Sequence, residues 1–124
     1  MRTLVAGTTR IRNRLQLDPV LNDLPWKPTL VLSAGLIGVA RQAECWAAEH
    51  RLPFKRFELE KSITNRSQSL PRLYAQMLDE AEAVVLLWSG GDEIGLQWLA
   101  DEASKRGLPL VNSVQKISLR LRGT

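Results

Sequence analysis

Short apolar runs alternate along the chain with longer segments whose apolar residues recur every three or four positions. Such runs are typical of strands buried on both faces, and the longer spacing is typical of amphipathic helices. The predicted strands cover residues 2–6, 29–32, 54–59, 83–88 and 108–114, and the predicted helices cover residues 18–24, 37–51, 70–81 and 94–106. Strands that alternate with helices favour a parallel sheet covered on both faces. The sequence therefore predicts an α/β fold, a three-layer doubly wound (Rossmann-like) sandwich with a mainly parallel five-stranded sheet.

Two segments do not follow this alternation. Residues 61–68 are polar and aperiodic, so we expect a loop there. Residues 117–121 alternate apolar and polar side chains, which predicts a short extra edge strand. In the helix at 37–51, the spacing places Ile37 on the apolar face and predicts that His50 caps the C-terminal end.

Composition limits the class of protein. The chain of 124 residues is 44% hydrophobic and 24% charged, which predicts a single domain spanning 1–124. No apolar run approaches the roughly 20 residues that span a bilayer, so we expect no membrane partner. We read no signal peptide, and cytoplasmic location is the expectation. The single cysteine, Cys45, is expected to be a buried structural thiol.

The formal net charge is +4, but the two signs are segregated. Residues 2–14 carry four arginines and no acid, whereas residues 79–102 carry seven acids and no base. Positive loops beside glycine turns suit a phosphorylated ligand. The small overall excess of positive charge is weak support for nucleic-acid binding.

Three of the predicted strands end in turns of small residues. A strand, a glycine turn and a helix in that order expose backbone N–H groups that stabilise an anion. Ligands of doubly wound sheets bind at the carboxyl ends of the strands, where these turns lie. The predicted ligand-binding residues are Gly7, Thr8, Thr9, Arg10, Ser33, Ala34, Gly35, Gly38, Val39, Arg72, Trp88, Ser89, Gly90, Gly91 and Gly95.

Each of these residues has an expected role. Backbone amides of 7–9 and 35–39 hold phosphate, hydroxyl groups of the two threonines and Ser33 donate to it, and Arg10 supplies charge with Arg72 as a second cation. Trp88 is expected to stack on a base, and the glycines after it allow close approach to a ribose or second phosphate. We further expect Gly35→Val to abolish ligand binding with little loss of fold.

The candidates for catalysis are Asp92 and Glu93, two carboxylates on the predicted rim. The favoured explanation for them is that they are N-cap and first-turn acids of the following helix, where they complement its dipole. Carboxylates that face a phosphate need an arginine, a ribose hydroxyl or a metal ion as a partner, so Mg²⁺ accompanying the ligand is left open. With one histidine, the sequence predicts no dedicated metal site and no catalytic triad.

The turns that follow the first, second and fourth predicted strands resemble those of a known family. Gly7-Thr8-Thr9-Arg10 looks like the Gly-Ser-Arg turn of the SLOG superfamily, which includes the LOG phosphoribohydrolases and DNA-processing protein A. The stretch from Ser33 to Ala47 and the loop beginning at Trp88 resemble the small YspA-related (YAcAr) proteins of that superfamily. The resemblance covers roughly residues 3–114 and implies a Rossmann-like domain that binds a nucleotide-derived ligand. It also implies a homodimer or higher homo-oligomer.

The chain departs from the LOG enzymes at their catalytic positions. Their fourth-strand loop reads Pro-Gly-Gly-x-Gly-Thr-x-x-Glu, whereas Ser89, Leu96 and Leu99 stand here at the proline, threonine and glutamate positions. Arg41 or Ala40 stands where the second turn has an aspartate. The resemblance therefore implies a retained binding site and argues against cytokinin-type nucleotide hydrolysis.

Three functions follow as hypotheses. The first is binding of a nucleotide-derived ligand, such as an ADP-ribose relative or a second messenger, by a sensor, carrier or sequestering protein without catalysis. The alternative is a nucleotide-processing enzyme of the nucleosidase or phosphoribohydrolase kind that uses Asp92 or Glu93. The third is single-stranded nucleic-acid binding, which would weaken steeply with salt. Few aromatic side chains are interleaved with the basic residues, so this hypothesis ranks last.

Overall fold

Strands and helices alternate through the whole of the described chain. The computed structural model describes residues 1–8, 17–58, 66–88 and 95–112. Its elements are β1 (Arg2–Gly7), α1 (Leu17–Asn22), β2 (Leu30–Ser33), α2 (Val39–Glu49), β3 (Phe54–Arg56), α3 (Arg66–Glu80), β4 (Ala83–Leu87), α4 (Leu96–Lys105) and β5 (Leu110–Asn112). This order agrees with the alternation predicted from the apolar pattern.

The five strands form one parallel sheet in the order β3-β2-β1-β4-β5. At its centre, Leu4 of β1 lies opposite Leu32 of β2 on one side and Val84 of β4 on the other. From β1, the strands β2 and β3 are added on one side, and β4 and β5 are then added on the other side. The strand order therefore reverses between β1 and β4. The α/β, Rossmann-like fold with a parallel five-stranded sheet is confirmed, and its switch point lies beside β1.

Alternate residues of the central strands contribute to two hydrophobic clusters. In β1, Leu4 packs with α3 and α4, whereas Val5 packs with α1 and α2. The apolar residues of α3 that recur at helical spacing are all buried, namely Leu70, Leu73, Met77 and Leu78. Because successive strand residues point to opposite faces, each central strand buries both of its sides.

Indole N–H groups fix two tryptophans beside the sheet. Trp26 Nε1 donates to Thr3 Oγ1 at 3.0 Å, and Trp46 Nε1 donates to Asn22 Oδ1 at 3.0 Å. Trp46 packs α2 on the sheet, since the residue is buried in the cluster with Val5. A polar partner for each indole is what a buried tryptophan requires.

The structure corrects several boundaries and burial expectations. Residues 66–68 belong to α3, so the loop predicted for 61–68 is wrong in that part. The reason is that a polar first turn of a helix carries no apolar period of its own. The helix α2 begins at Val39, which leaves Ile37 before it with 55% of its surface exposed. The extra strand at 117–121 lies outside the described residues.

Cys45 is exposed, so the expectation of a buried thiol is wrong. Its neighbours along α2, Glu44 and Trp46, are both buried. A helix that packs by one face leaves a residue between two such positions pointing outward when the apolar stripe is narrow. The general tendency of free cysteines to be buried therefore does not hold at this position of α2.

Truncation of Leu99 in α4 tests the core. Leu99 is fully buried, so Leu99→Ala is expected to lower the free energy of unfolding by about 2–5 kcal/mol. The control is Ile37→Ala at an exposed position, for which a change below about 0.5 kcal/mol is expected. Urea denaturation followed by circular dichroism measures both, and equal losses would contradict the assignment of the core.

Candidate ligand site at the carboxyl edge of the sheet

Two of the predicted glycine turns meet at the switch point of the sheet. Gly7, the last residue of β1, lies opposite Leu87, the last residue of β4. The next residue, Thr8, donates its N–H to Leu87 O at 3.0 Å and accepts from the N–H of Val39 at 3.1 Å. The chain that leaves β1 therefore crosses the beginning of α2.

Gly7 has no room for a side chain. A Cβ atom there would lie 2.5 Å from Leu87 O and 2.8 Å from Val39 Cγ2. The glycine is needed for this close approach rather than for an unusual backbone angle. Its predicted place in the turn agrees with the structure, although its contact with a ligand remains a prediction.

Ser33 braces the turn after β2 from inside the protein. Its hydroxyl oxygen accepts from the N–H of Gly35 at 3.0 Å, and the hydroxyl donates toward Glu44 Oε2 at 2.7 Å. The residue is fully buried. The hydroxyl is therefore engaged within the turn, which speaks against its expected contact with phosphate.

Glu44 joins three elements of the fold. It lies on α2 with 5% of its surface exposed, and it accepts from Ser33 of β2. Arg56 of β3 donates to both of its oxygens, through Nε to Oε2 at 2.9 Å and through Nη2 to Oε1. This two-pronged contact is the geometry in which a guanidinium binds a carboxylate most specifically.

The charge of Glu44 is stabilised by these contacts. Burial acts to raise the pKa of Glu44, but hydrogen bonds from Arg56 and Ser33 and the charges of Arg56 and Arg41 outweigh it. The net result is a pKa below the ordinary value of 4.5. The hydrogen bonds and charge of Glu44 in turn raise the pKa of Arg56. Glu44 therefore stays ionised and serves as a fixed anchor for Arg56.

A polar cleft of ≈ 240 Å³ opens beside this anchor. Its walls are formed by Ala34, Gly35, Leu36, Arg41, Arg56 and Glu58. Arg41 Nε donates to Gly35 O at 3.0 Å, which holds the guanidinium against the turn. Within the described part of the chain, no carboxylate forms a salt bridge with Arg41 and no cation forms one with Glu58.

The amides expected to bind phosphate fall into two groups. The N–H of Gly35 donates to Ser33 Oγ and that of Val39 donates to Thr8 O, so neither is available to a ligand. The N–H groups of 36–38 make no hydrogen bond among the described residues. The start of α2 has Gly38 as its N-cap and no side-chain cap. The N–H groups of the turn that have no partner among the described residues are therefore those of 36–38, of which Ile37 is the exposed residue.

Trp88 and Gly95 both have packing contacts in the structure. Trp88 is 4% exposed and belongs to the core cluster with α3 and α4, which leaves little of its indole for a base to stack on. Gly95, with φ of 83°, begins α4, and a Cβ there would lie 3.0 Å from the ring of Tyr74. Its conformation serves the packing of α4 on α3.

The remaining predicted ligand-binding and catalytic residues lie on α3, in the wall of the cleft or outside the described residues. Arg72 is exposed on α3, and no described contact links it to the β2 turn. Ala34 lines the cleft, and its contact with a ligand stays a prediction. The positions outside the described residues are Thr9, Arg10, Ser89, Gly90, Gly91, Asp92 and Glu93.

The sequence interpretation missed Glu44 and the structural role of Arg56. A signal was present, because Glu44 falls between Ala43 and Ala47 on the apolar face of α2, where an acid requires a buried partner. The partner itself could not be found from α2 alone, since Arg56 comes from a strand twelve residues further on.

A second cleft of ≈ 490 Å³ lies at the opposite edge, before β2 and β3 begin. Trp26, Trp46 and other apolar side chains line it. His50 forms the C-cap of α2 as predicted, and its ring stacks on Trp46 with the ring centroids 4.2 Å apart. Lys27 also lines this cleft, but no glycine turn lies in its wall.

Comparison with protein-family models, with curated proteins and with solved structures found no match to the chain. The SLOG resemblance accordingly stays a prediction. Among the described residues there is no group of three or more His, Cys, Asp or Glu side chains that could hold a metal ion. In the same part of the chain, no helix is long and apolar enough to cross a bilayer.

Neutralisation of Glu44 tests the anchor. In Glu44→Gln one oxygen becomes an NH₂ group that faces the donors of Ser33 and Arg56, so a loss of about 1–3 kcal/mol in the free energy of unfolding at pH 7 is expected. The control Glu80→Gln breaks an exposed pair with Lys55 and should cost less than about 1 kcal/mol.

The same variant tests the pH dependence of stability. Because the folded pKa of Glu44 is depressed, its contribution is fully present above pH 4.5 and is lost as the pH falls through the folded pKa. Wild-type protein should therefore lose more stability than Glu44→Gln between pH 5 and strongly acidic pH, as measured by urea denaturation at a series of pH values. Parallel curves would contradict a depressed pKa.

Gly35 and Gly107 form a matched pair that tests the contact between the turn and Arg56. Both have φ of 71°, but a Cβ at Gly35 would lie 2.7 Å from Arg56 Cδ, whereas one at Gly107 would meet nothing within 4 Å. Gly35→Ala should therefore destabilise more than Gly107→Ala, by about 1–3 kcal/mol in thermal or urea unfolding. The same close approach argues against the expectation that Gly35→Val leaves the fold nearly intact. Equal losses in the two alanine variants would show that Arg56 does not depend on Gly35.

Proposed function

We propose that the chain binds a nucleotide or nucleotide-derived phosphorylated ligand, such as an ADP-ribose relative, at the carboxyl edge of its sheet. It would act as a sensor, a carrier or a sequestering protein. The observation that carries the proposal is the contact between Thr8 and Val39, which brings the β1 turn and the β2 turn together at the switch point. Ligands of parallel α/β sheets bind at this location.

The open N–H groups of 36–38 supply the contact for phosphate. They precede α2, whose N-terminus carries the positive end of the helix dipole. Thr8 lies on the other side of the same junction. A phosphate group between the two turns would receive backbone hydrogen bonds without a dedicated lysine.

The charges beside the turn favour recognition over catalysis. Arg41 is held against Gly35 O and has no carboxylate partner among the described residues, so it can donate to an anionic or hydroxyl-bearing ligand. Glu44 is ionised, buried and engaged by Arg56, which makes it a poor general acid or base. The SLOG resemblance of the β1 and β2 turns supports the same ligand class.

Removal of the Thr8 hydroxyl tests the proposal. Thr8→Val keeps the side-chain shape and the backbone contacts but removes a donor, so affinity for ADP-ribose and for AMP should fall about tenfold or more. Isothermal titration calorimetry measures the affinities. Thr29→Val is the control, because Thr29 is exposed and lies at the opposite edge, just before β2.

Unchanged affinity in Thr8→Val, or an equal loss in Thr29→Val, would contradict binding at this edge. The reaction mixture is examined for nucleotide breakdown after each titration. Intact nucleotide agrees with a binding protein, whereas released base or ribose phosphate would identify an enzyme.

A further inference from the structure

The cleft beside the β2 turn presents one guanidinium and one carboxylate that take no part in the Glu44–Arg56 ion pair. We propose that this cleft binds the vicinal diol of a ribosyl group, with Glu58 accepting from the hydroxyls and Arg41 donating to them. This assignment rests on the proposed function and names which part of the ligand the cleft receives.

The size of the cleft indicates that it receives a group rather than a whole ligand. Its volume of ≈ 240 Å³ is below the roughly 300–1,000 Å³ typical of pockets for complete small molecules. Leu36 belongs both to the cleft wall and to the stretch 36–38 whose N–H groups are open. The group in the cleft is therefore the immediate neighbour of the phosphate.

The balance of charge favours a diol over a second phosphate. Arg41 and Arg56 are opposed by Glu44 and Glu58, and the charge of Glu58 also acts on Arg56 to raise its pKa. A phosphate placed beside the Glu58 carboxylate would meet like charge. A diol is neutral and supplies both kinds of hydrogen bond, since each hydroxyl can donate to a carboxylate and accept from a guanidinium.

The orientation of the donors is fixed before the ligand arrives. Glu44 holds Arg56 through two hydrogen bonds, and Gly35 O holds Arg41 through Nε at 3.0 Å. The terminal nitrogens of Arg41 are then the donors left for the ligand. Side chains that are already held in place lose little conformational freedom on binding.

Paired nucleotides test the assignment. AMP should bind wild-type protein about tenfold or more tightly than 2′,3′-dideoxyadenosine monophosphate in isothermal titration calorimetry, because the second nucleotide lacks the diol. In Glu58→Gln the affinity for AMP should fall about tenfold while that for the dideoxy nucleotide stays unchanged. Asp23→Asn is the control, since Asp23 is exposed at the far end of α1 and should alter neither affinity.

The outcomes separate the two proposals. Equal affinity of AMP and the dideoxy nucleotide, both lowered in Thr8→Val, would overturn the ribose assignment and leave the phosphate site standing. A rise in AMP affinity in Glu58→Gln would also overturn it, because an anionic group would then occupy the cleft. Failure of both nucleotides to bind wild-type protein would overturn both proposals.

Discussion

The carboxylate of Glu44 is the constraint on which the candidate site depends. It is buried on α2, and it receives hydrogen bonds from Ser33 at the end of β2 and from Arg56 at the end of β3. Burial of this charge would be costly without those partners. With them, one side chain sets the position of the turn after β2, the start of the cleft and the direction of the arginine. The polar network thus orders the turn in which Ala34 and Leu36 meet the hydrophobic core.

The topology of the sheet supplies the second constraint. The strand order reverses between β1 and β4, and Gly7 at the end of β1 allows the chain to pass close to Leu87 and Val39. Because Thr8 accepts the first N–H of α2, the two turns form one surface rather than two separate loops. Phosphate binding and the ribose assignment are therefore proposals about neighbouring parts of a single site.

Much of the fold could be predicted from the sequence, because apolar runs and helical spacing report directly on burial. The order of the elements and the inward face of α3 follow from such patterns. Less of the candidate site could be predicted from the sequence. Glycine turns predict a site at the carboxyl edge of the sheet. The role of Ser33 as a brace of the β2 turn depends on Glu44, whose partner lies on another strand. Trp88 directly follows β4, and its indole could either face the ligand site or pack in the core. Tertiary packing places it in the core. Long-range pairings of this kind leave no periodic signal in the chain.

The central claim is that a nucleotide-like ligand binds between the β1 and β2 turns. A two-dimensional ¹⁵N NMR titration of the intact chain with ADP-ribose tests it most directly, because every backbone amide reports separately. The account predicts saturable shifts of the amides of Thr8, Leu36, Ile37 and Gly38, with the indole signals of Trp26 and Trp46 unchanged. Shifts confined to those two indoles would place the ligand in the cleft at the opposite edge and contradict the account. A spectrum without any shift at millimolar ADP-ribose would contradict it as well.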